Sequence, residues 1–142
     1  MSKAYLTVHD FSALNVNSIE QQLIPAGAAY SAGNTASGDI ILLNSTSGSS
    51  VTLPSNSPGL HFTFLVSNTG AHTITSPSAN LYGGLNVVVA NSAVSSNLVA
   101  NGNTVISTTS GSSIGDTITL LSDDTKYYVS GTVSRFNGLK MV

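Results

Sequence analysis

The chain has 142 residues, a hydrophobic fraction of 41% and a formal net charge of −2, with charged side chains at only 7% of positions and no cysteine. That excludes disulfide frameworks, thiolate metal sites and cysteine nucleophiles, and four Lys+Arg give no basic footprint for nucleic acid. No apolar run approaches the roughly 20 residues of a membrane span, and the start MSKAYLTVHDF has no apolar signal-peptide core.

Residues 1–37 read as an extended arm. Tyr5-Leu6-Thr7-Val8 suggests a short strand or turn, with at most one helical turn near Ser18 to Gln22. Pro25 lacks a backbone donor and restrains Ile24, so Gln21–Gly27 cannot be a helix interior. From Gly38 onward short strands recur at the spacing of an all-β fold. Candidates are Asp39–Leu43, Ser50–Leu53, Leu60–Val66, Ala71–Thr75, Leu85–Ala90, Thr104–Ser107, Asp116–Leu121, Lys126–Gly131 and Gly138–Val142. Alternation places Phe62, Phe64 and Val66 on one face of their strand, and Ile118 with Leu120 on one face of theirs. Ser67-Asn68-Thr69-Gly70 and Ser122-Asp123-Asp124-Thr125 carry hairpin-turn residues. The expectation is an antiparallel β-sandwich or jelly-roll-like barrel over 38–142, preceded by the arm.

Between Ile40 and Gly115 there is no Asp, Glu, Lys or Arg. Ser (24), Thr (15), Asn (13) and Gly (13) make up close to half the chain. Disordered chains are usually poor in hydrophobic residues and rich in net charge, so this composition predicts a folded β-rich domain. The uncharged stretch also lacks the side chains that most enzymes use for proton transfer, metal capture or phosphate binding.

Few residues could carry chemistry. Gly111-Ser112-Ser113-Ile114-Gly115 matches the G-x-S-x-G nucleophile elbow. That motif needs a strand-to-helix turn and a histidine further along, whereas all three histidines lie upstream, so Ser113 reads as a loop residue. His61 and His72 flank the 67–70 turn; on a hairpin they fall four rungs apart, beyond shared ligation. Asp116, Asp123 and Asp124 could suggest calcium, but an Asp pair in a turn is an ordinary hairpin signal. Asn44-Ser45-Thr46 is a formal sequon without a signal peptide, and reads as accidental. Of Tyr127 and Tyr128, one ring should enter the core and the other face a neighbour.

The order of motifs is informative. Val51-Thr52-Leu53-Pro54, Pro58–Phe64, Ala71-His72-Thr73-Ile74-Thr75, Leu81-Tyr82-Gly83-Gly84 and Asp116–Val129 together resemble a β-module of tailed-phage structural proteins, found in fibre and spike pieces and in capsid decoration proteins. Asp124 replaces the Gly usual in the last turn, and Tyr127-Tyr128 stands where Trp is common. The arm, from Lys3 to Leu14 and on through Gln21–Ala26, resembles the start of phage head decoration, or cement, proteins. The resemblance implies a β-sandwich that trimerises on the outer capsid surface, with the arm gripping the lattice. The chain is therefore expected to be a non-enzymatic virion protein with no cofactor and no metal. Its expected partners are the major capsid protein and further copies of itself, not nucleic acid or membrane. Tyr5, Leu6, Val8, Phe11, Leu14, Leu23 and Ile24 are the apolar arm residues expected to bind the capsid. The alternative is a tail fibre or spike module that contacts host surface glycans.

Overall fold

A strand with a period of two must send alternate side chains to opposite faces, and His61–Val66 does so. Phe62, Phe64 and Val66 are buried, while His61, Thr63 and Leu65 are partly exposed on the other side. Thr117–Ser122 repeats the pattern with Ile118 and Leu120 inward. The computed structural model describes residues 21–87, 96–108, 113–134 and 139–142. Within them lie β1 (Leu23–Pro25), β2 (Ala29–Ser31), β3 (Ile40–Leu43), β4 (Ser50–Thr52), β5 (His61–Val66), β6 (Thr73–Thr75), β7 (Leu81–Val87), β8 (Ser96–Asn103), β9 (Val105–Thr108), β10 (Thr117–Ser122), β11 (Tyr127–Val133) and β12 (Leu139–Met141).

The strands form a seven-stranded sheet, β1-β3-β5-β10-β11-β7-β8, and a five-stranded sheet, β12-β9-β6-β4-β2. One core joins them. Ile41, Leu43, Phe62, Phe64, Leu120 and Tyr127 of the larger sheet share it with Val51, Ile74 and Ile106 of the smaller. This is the all-β sandwich expected from the sequence. Its strand directions are mixed rather than purely antiparallel: β1–β3, β3–β5, β2–β4, β4–β6 and β7–β11 pair in parallel.

Four of these pairs, all but β7–β11, arise because the first half of the chain is wound as a coil. It alternates between sheets, with β1, β3 and β5 in the larger and β2, β4 and β6 in the smaller. Ile41 stands beside Phe64, Val51 beside Ile74, and Ser49 bonds His72, each pair 23 positions apart. Between the first two coils the spacing is 17 from β1 to β3, as in the bond from Gly27 N–H to Asn44 Oδ1, and 21 from β2 to β4, where Tyr30 stands beside Val51. The turn Ser67–Gly70 is consequently not a hairpin but a crossing from β5 to β6. The N–H groups of Ser67 and Asn68 are tied to the Leu43 carbonyl of the preceding coil. Turn-forming residues suit a reversal and a crossing equally well, and the apolar faces of β5 and β6 decide between them by meeting across the core. At Gly48, on the preceding crossing, φ is +109° and a Cβ would run into the Ala71 carbonyl.

Ser122–Thr125 is the hairpin turn that the sequence predicts, with Ser122 opposite Tyr127. Residues 21–37, read as the end of an arm, are extended but built into the body. β1 pairs with β3, β2 pairs with β4, and Ala26, Ala32 and Ala36 are buried. Residues 34–36 form a 3-10 turn, and Gln21 and Gln22 are not helical. The division at 37/38 therefore does not coincide with a break in the fold. Pro25 fits because β1 is an edge strand. Gln22 O accepts from Ile40 N–H and Ala26 N–H donates to Leu42 O, so Pro25 sits at the position whose missing donor would face the open edge. β1, β2, β8 and the Leu81–Gly84 start of β7 were not expected as strands. Residues 1–20, Val88–Ala90 of the expected Leu85–Ala90 strand, and Gly138 lie outside the described residues.

Candidate functional site

Several side chains that could perform chemistry, those of His72, Asp116 and Asp123, are engaged in structural bonds. Ser113 N–H donates to Asp116 Oδ2 at 2.9 Å, closing the turn that enters β10; Gly111 and Ser112 lie outside the described residues. Asp116, 4% exposed, also accepts from the backbone N–H of Ser134 at 2.9 Å and from its hydroxyl, joining the start of β10 to the end of β11. Asp123 accepts from Thr125 N–H at 2.7 Å, Lys126 N–H at 2.6 Å and Tyr128 Oη at 2.8 Å. The Thr125 N–H foremost, then the Tyr128 hydroxyl and the Lys126 N–H, hold its carboxyl down to about 2. The same bond, followed by burial and the carboxylate charge, raises Tyr128. Asn44 Oδ1 caps Gly27 N–H. His61 lies on the outer face of β5, whereas His72 is buried at the corner before β6. The two histidines are thus separated by a sheet crossing rather than by hairpin rungs. Among the described residues no group of three His, Cys, Asp or Glu could hold a metal ion.

A different feature stands out. On the outward side of the larger sheet, the strands carry no charged side chain among the described positions. Leu23, Leu121, Tyr128 and Val99 project from it with 62%, 50%, 45% and 68% exposure. Register divides this face into two halves. At one end Pro25, Leu42 and Leu65 stand side by side on β1, β3 and β5, with Leu23 and Ile40 in the adjoining row. At the other, Leu121, Tyr128 and Tyr82 stand side by side on β10, β11 and β7. Tyr127, one residue from Tyr128, points the opposite way and is fully buried, with its hydroxyl donating to the Pro54 carbonyl at 2.9 Å. Burial pushes its phenol up to about 12.

Of the arm residues expected to make contacts, Tyr5, Leu6, Val8, Phe11 and Leu14 lie outside the described residues. Leu23 is on the outer face. Ile24 points inward and packs against the core. It also floors a groove of about 440 Å³ at the β1–β2 end, lined with Tyr30, Thr35 and Asp39 among others. Sequence reasoning missed the outer face because its residues come from separate strands. The signal was available in the Leu, Thr and Tyr positions opposite the buried ones. Comparisons with protein-family models, with curated proteins and with solved structures find no match.

Proposed function

We propose that this protein is a non-enzymatic structural component of a tailed-phage particle. It binds the outer surface of the capsid as a homo-oligomer, a trimer, and stabilises the assembled shell. The observation that carries this reading is the uncharged outer face of the larger sheet, with its aliphatic half built from Leu23, Pro25, Ile40, Leu42 and Leu65. Contiguous exposed apolar surface marks an interaction site. A partner can cover this half without desolvating any unpaired ion, which makes contact with a neutral protein surface favourable. A ligand that binds the assembled state better than its parts stabilises that state by mass action. The motif resemblance supplies the nature of the shell.

The test uses expanded, undecorated capsids and the full chain. Full-length protein should bind in hundreds of copies, and light scattering should give about three times the 14.4 kDa chain mass. The double variant Leu23→Glu with Leu65→Glu should lose occupancy while retaining a cooperative melt. Because Debye screening acts on charges, occupancy should change little up to about 1 M salt. Full occupancy by the double variant, or release by moderate salt alone, would refute the reading.

A further inference from the structure

We infer that Asn101 is a self-modification site: its side-chain amide is lost by ring closure onto the Gly102 nitrogen, leaving isoaspartate or aspartate at the edge of the larger sheet. Three conditions must meet at one position. The asparagine must face water, the next residue must leave its own nitrogen unshielded, and that nitrogen must stand outside a regular ladder. Asn101 is exposed on β8, whereas Ala100 before it is buried. Gly102 has no Cβ to shield its nitrogen, and its φ of +75° lies in the region that favours glycine. Register supplies the third condition. Leu81 stands opposite Asn103 and Tyr82 opposite Asn101, so Gly102 is the extra residue of a β-bulge, with no residue facing it. β8 is also the last strand of its sheet among those described, so no further ladder closes over the bulge.

The step balances with water alone. Gly102 N attacks Asn101 Cγ, the new N–Cγ bond forms, and Nδ2 leaves as ammonia, carrying away the Gly102 amide proton. Water then opens the cyclic imide at either carbonyl. Opening at the backbone carbonyl gives isoaspartate, and opening at Cγ gives aspartate. Asparagines followed by a β-branched residue are the built-in comparison, since that side chain crowds the attacking nitrogen. Asn86 precedes Val87 on β7, and Asn103 precedes Thr104. Asn101 stands in line with Leu121, Tyr128 and Tyr82. Each conversion therefore places a carboxylate on a face whose strands carry no charged side chain among the described positions. A partner covering that end would have to desolvate the new ion, so contact there weakens as the protein ages.

The experiment incubates the full-length protein in heavy-oxygen water at mildly alkaline pH, once folded and once in guanidinium. Peptides are then mapped by mass spectrometry, with a fragmentation that separates isoaspartate from aspartate. In the folded protein residue 101 should convert and take up one heavy oxygen, which marks conversion during the incubation rather than during digestion. Both acidic forms should be present at residue 101, while Asn86 and Asn103 remain amides. Asn101→Gln should remove the signal and leave the melting temperature unchanged. The folded rate should lie within about tenfold of the rate in guanidinium, a barrier difference of about 1.4 kcal/mol or less. A residue 101 that converts in guanidinium but falls below that bound when folded would overturn the inference, because the strand would then protect it. Equal conversion at Asn86 and Asn103 would overturn it too, since the bulge would then confer nothing. So would the absence of conversion in both states. Every readout uses the free protein, so this inference and the shell reading fail separately.

Discussion

Ser49 and His72 stand one coil apart and are joined across it, the Ser49 backbone N–H donating to His72 Nδ1 at 2.9 Å. An Nδ1 that accepts leaves the ring proton on Nε2, which faces the Asn68 carbonyl oxygen at 2.7 Å. The backbone of His72 is tied as well, its N–H to Thr108 Oγ1 and its carbonyl to Thr108 N–H. One buried residue thus links two crossings and β9.

Replacing His72 with Ala should therefore be among the most damaging single changes. It leaves the Ser49 N–H and the Asn68 carbonyl without their partner, at about 1–3 kcal/mol each, and opens a cavity. A total loss of about 3–5 kcal/mol, read from the urea midpoint at constant m-value, is expected. A loss below about 1 kcal/mol would show that the coil does not depend on this link.

Gly48 should tolerate alanine less well than Gly38. Both have positive φ, +109° and +96°, but a Cβ at Gly38 meets nothing within 4 Å, whereas at Gly48 it meets backbone. Gly38→Ala should cost about 1 kcal/mol from conformation alone. Gly48→Ala should cost clearly more, because the two crossings must also separate. Chemical denaturation of the two variants side by side measures the difference, and equal costs would contradict the close packing of the coils.

Acid should expose the contribution of Asp123. Its carboxyl titrates at about 2 in the folded protein, against about 3.9 in an unfolded chain. The unfolded state therefore takes up the proton first as pH falls. The stabilisation is present above about pH 4 and is lost progressively down to about pH 2. Thermal melts of the natural protein and Asp123→Asn should differ at pH 7 and converge across that window. A gap that stays constant to pH 2 would show that these hydrogen bonds contribute nothing ionic.

Alkali should do the same for Tyr127, with the sign set by the neutral form. The folded phenol titrates at about 12 and an unfolded tyrosine at about 10. The folded state keeps its proton while the unfolded state releases its own, so stability is intact below pH 10 and falls between pH 10 and about 12. Tyr127→Phe should lose about 1–2 kcal/mol at neutral pH, because the Pro54 carbonyl loses its donor. It should also lose less than the natural protein between pH 10 and 12. Tyrosinate absorbance should show two late-titrating groups, Tyr127 and Tyr128, of which the substitution removes the first.

The strands that were legible are those whose burial pattern is local. Phe62-Thr63-Phe64 and Ile118-Thr119-Leu120 alternate within a few residues, and a period of two has one structural meaning. Asp123 in the 122–125 turn was legible for the same reason, since its acceptors serve N–H groups two and three positions away. β1 and β2 were not legible: each is three residues long, and Leu23-Ile24-Pro25 becomes a strand only because Ile40–Leu42 offers it a partner.

Composition by itself determined that this chain is all-β, lacks cysteine chemistry and is almost free of charge through its middle. Those properties belong to the residues wherever they end up. Only tertiary structure decided that Ser67–Gly70 crosses between sheets, that residues 21–37 belong to the body, and that Tyr82 stands beside Tyr128 on an outer face. Each of these depends on pairing between segments distant along the chain. Such pairing is chosen by burying every apolar face in one shared core, which no local window of sequence contains.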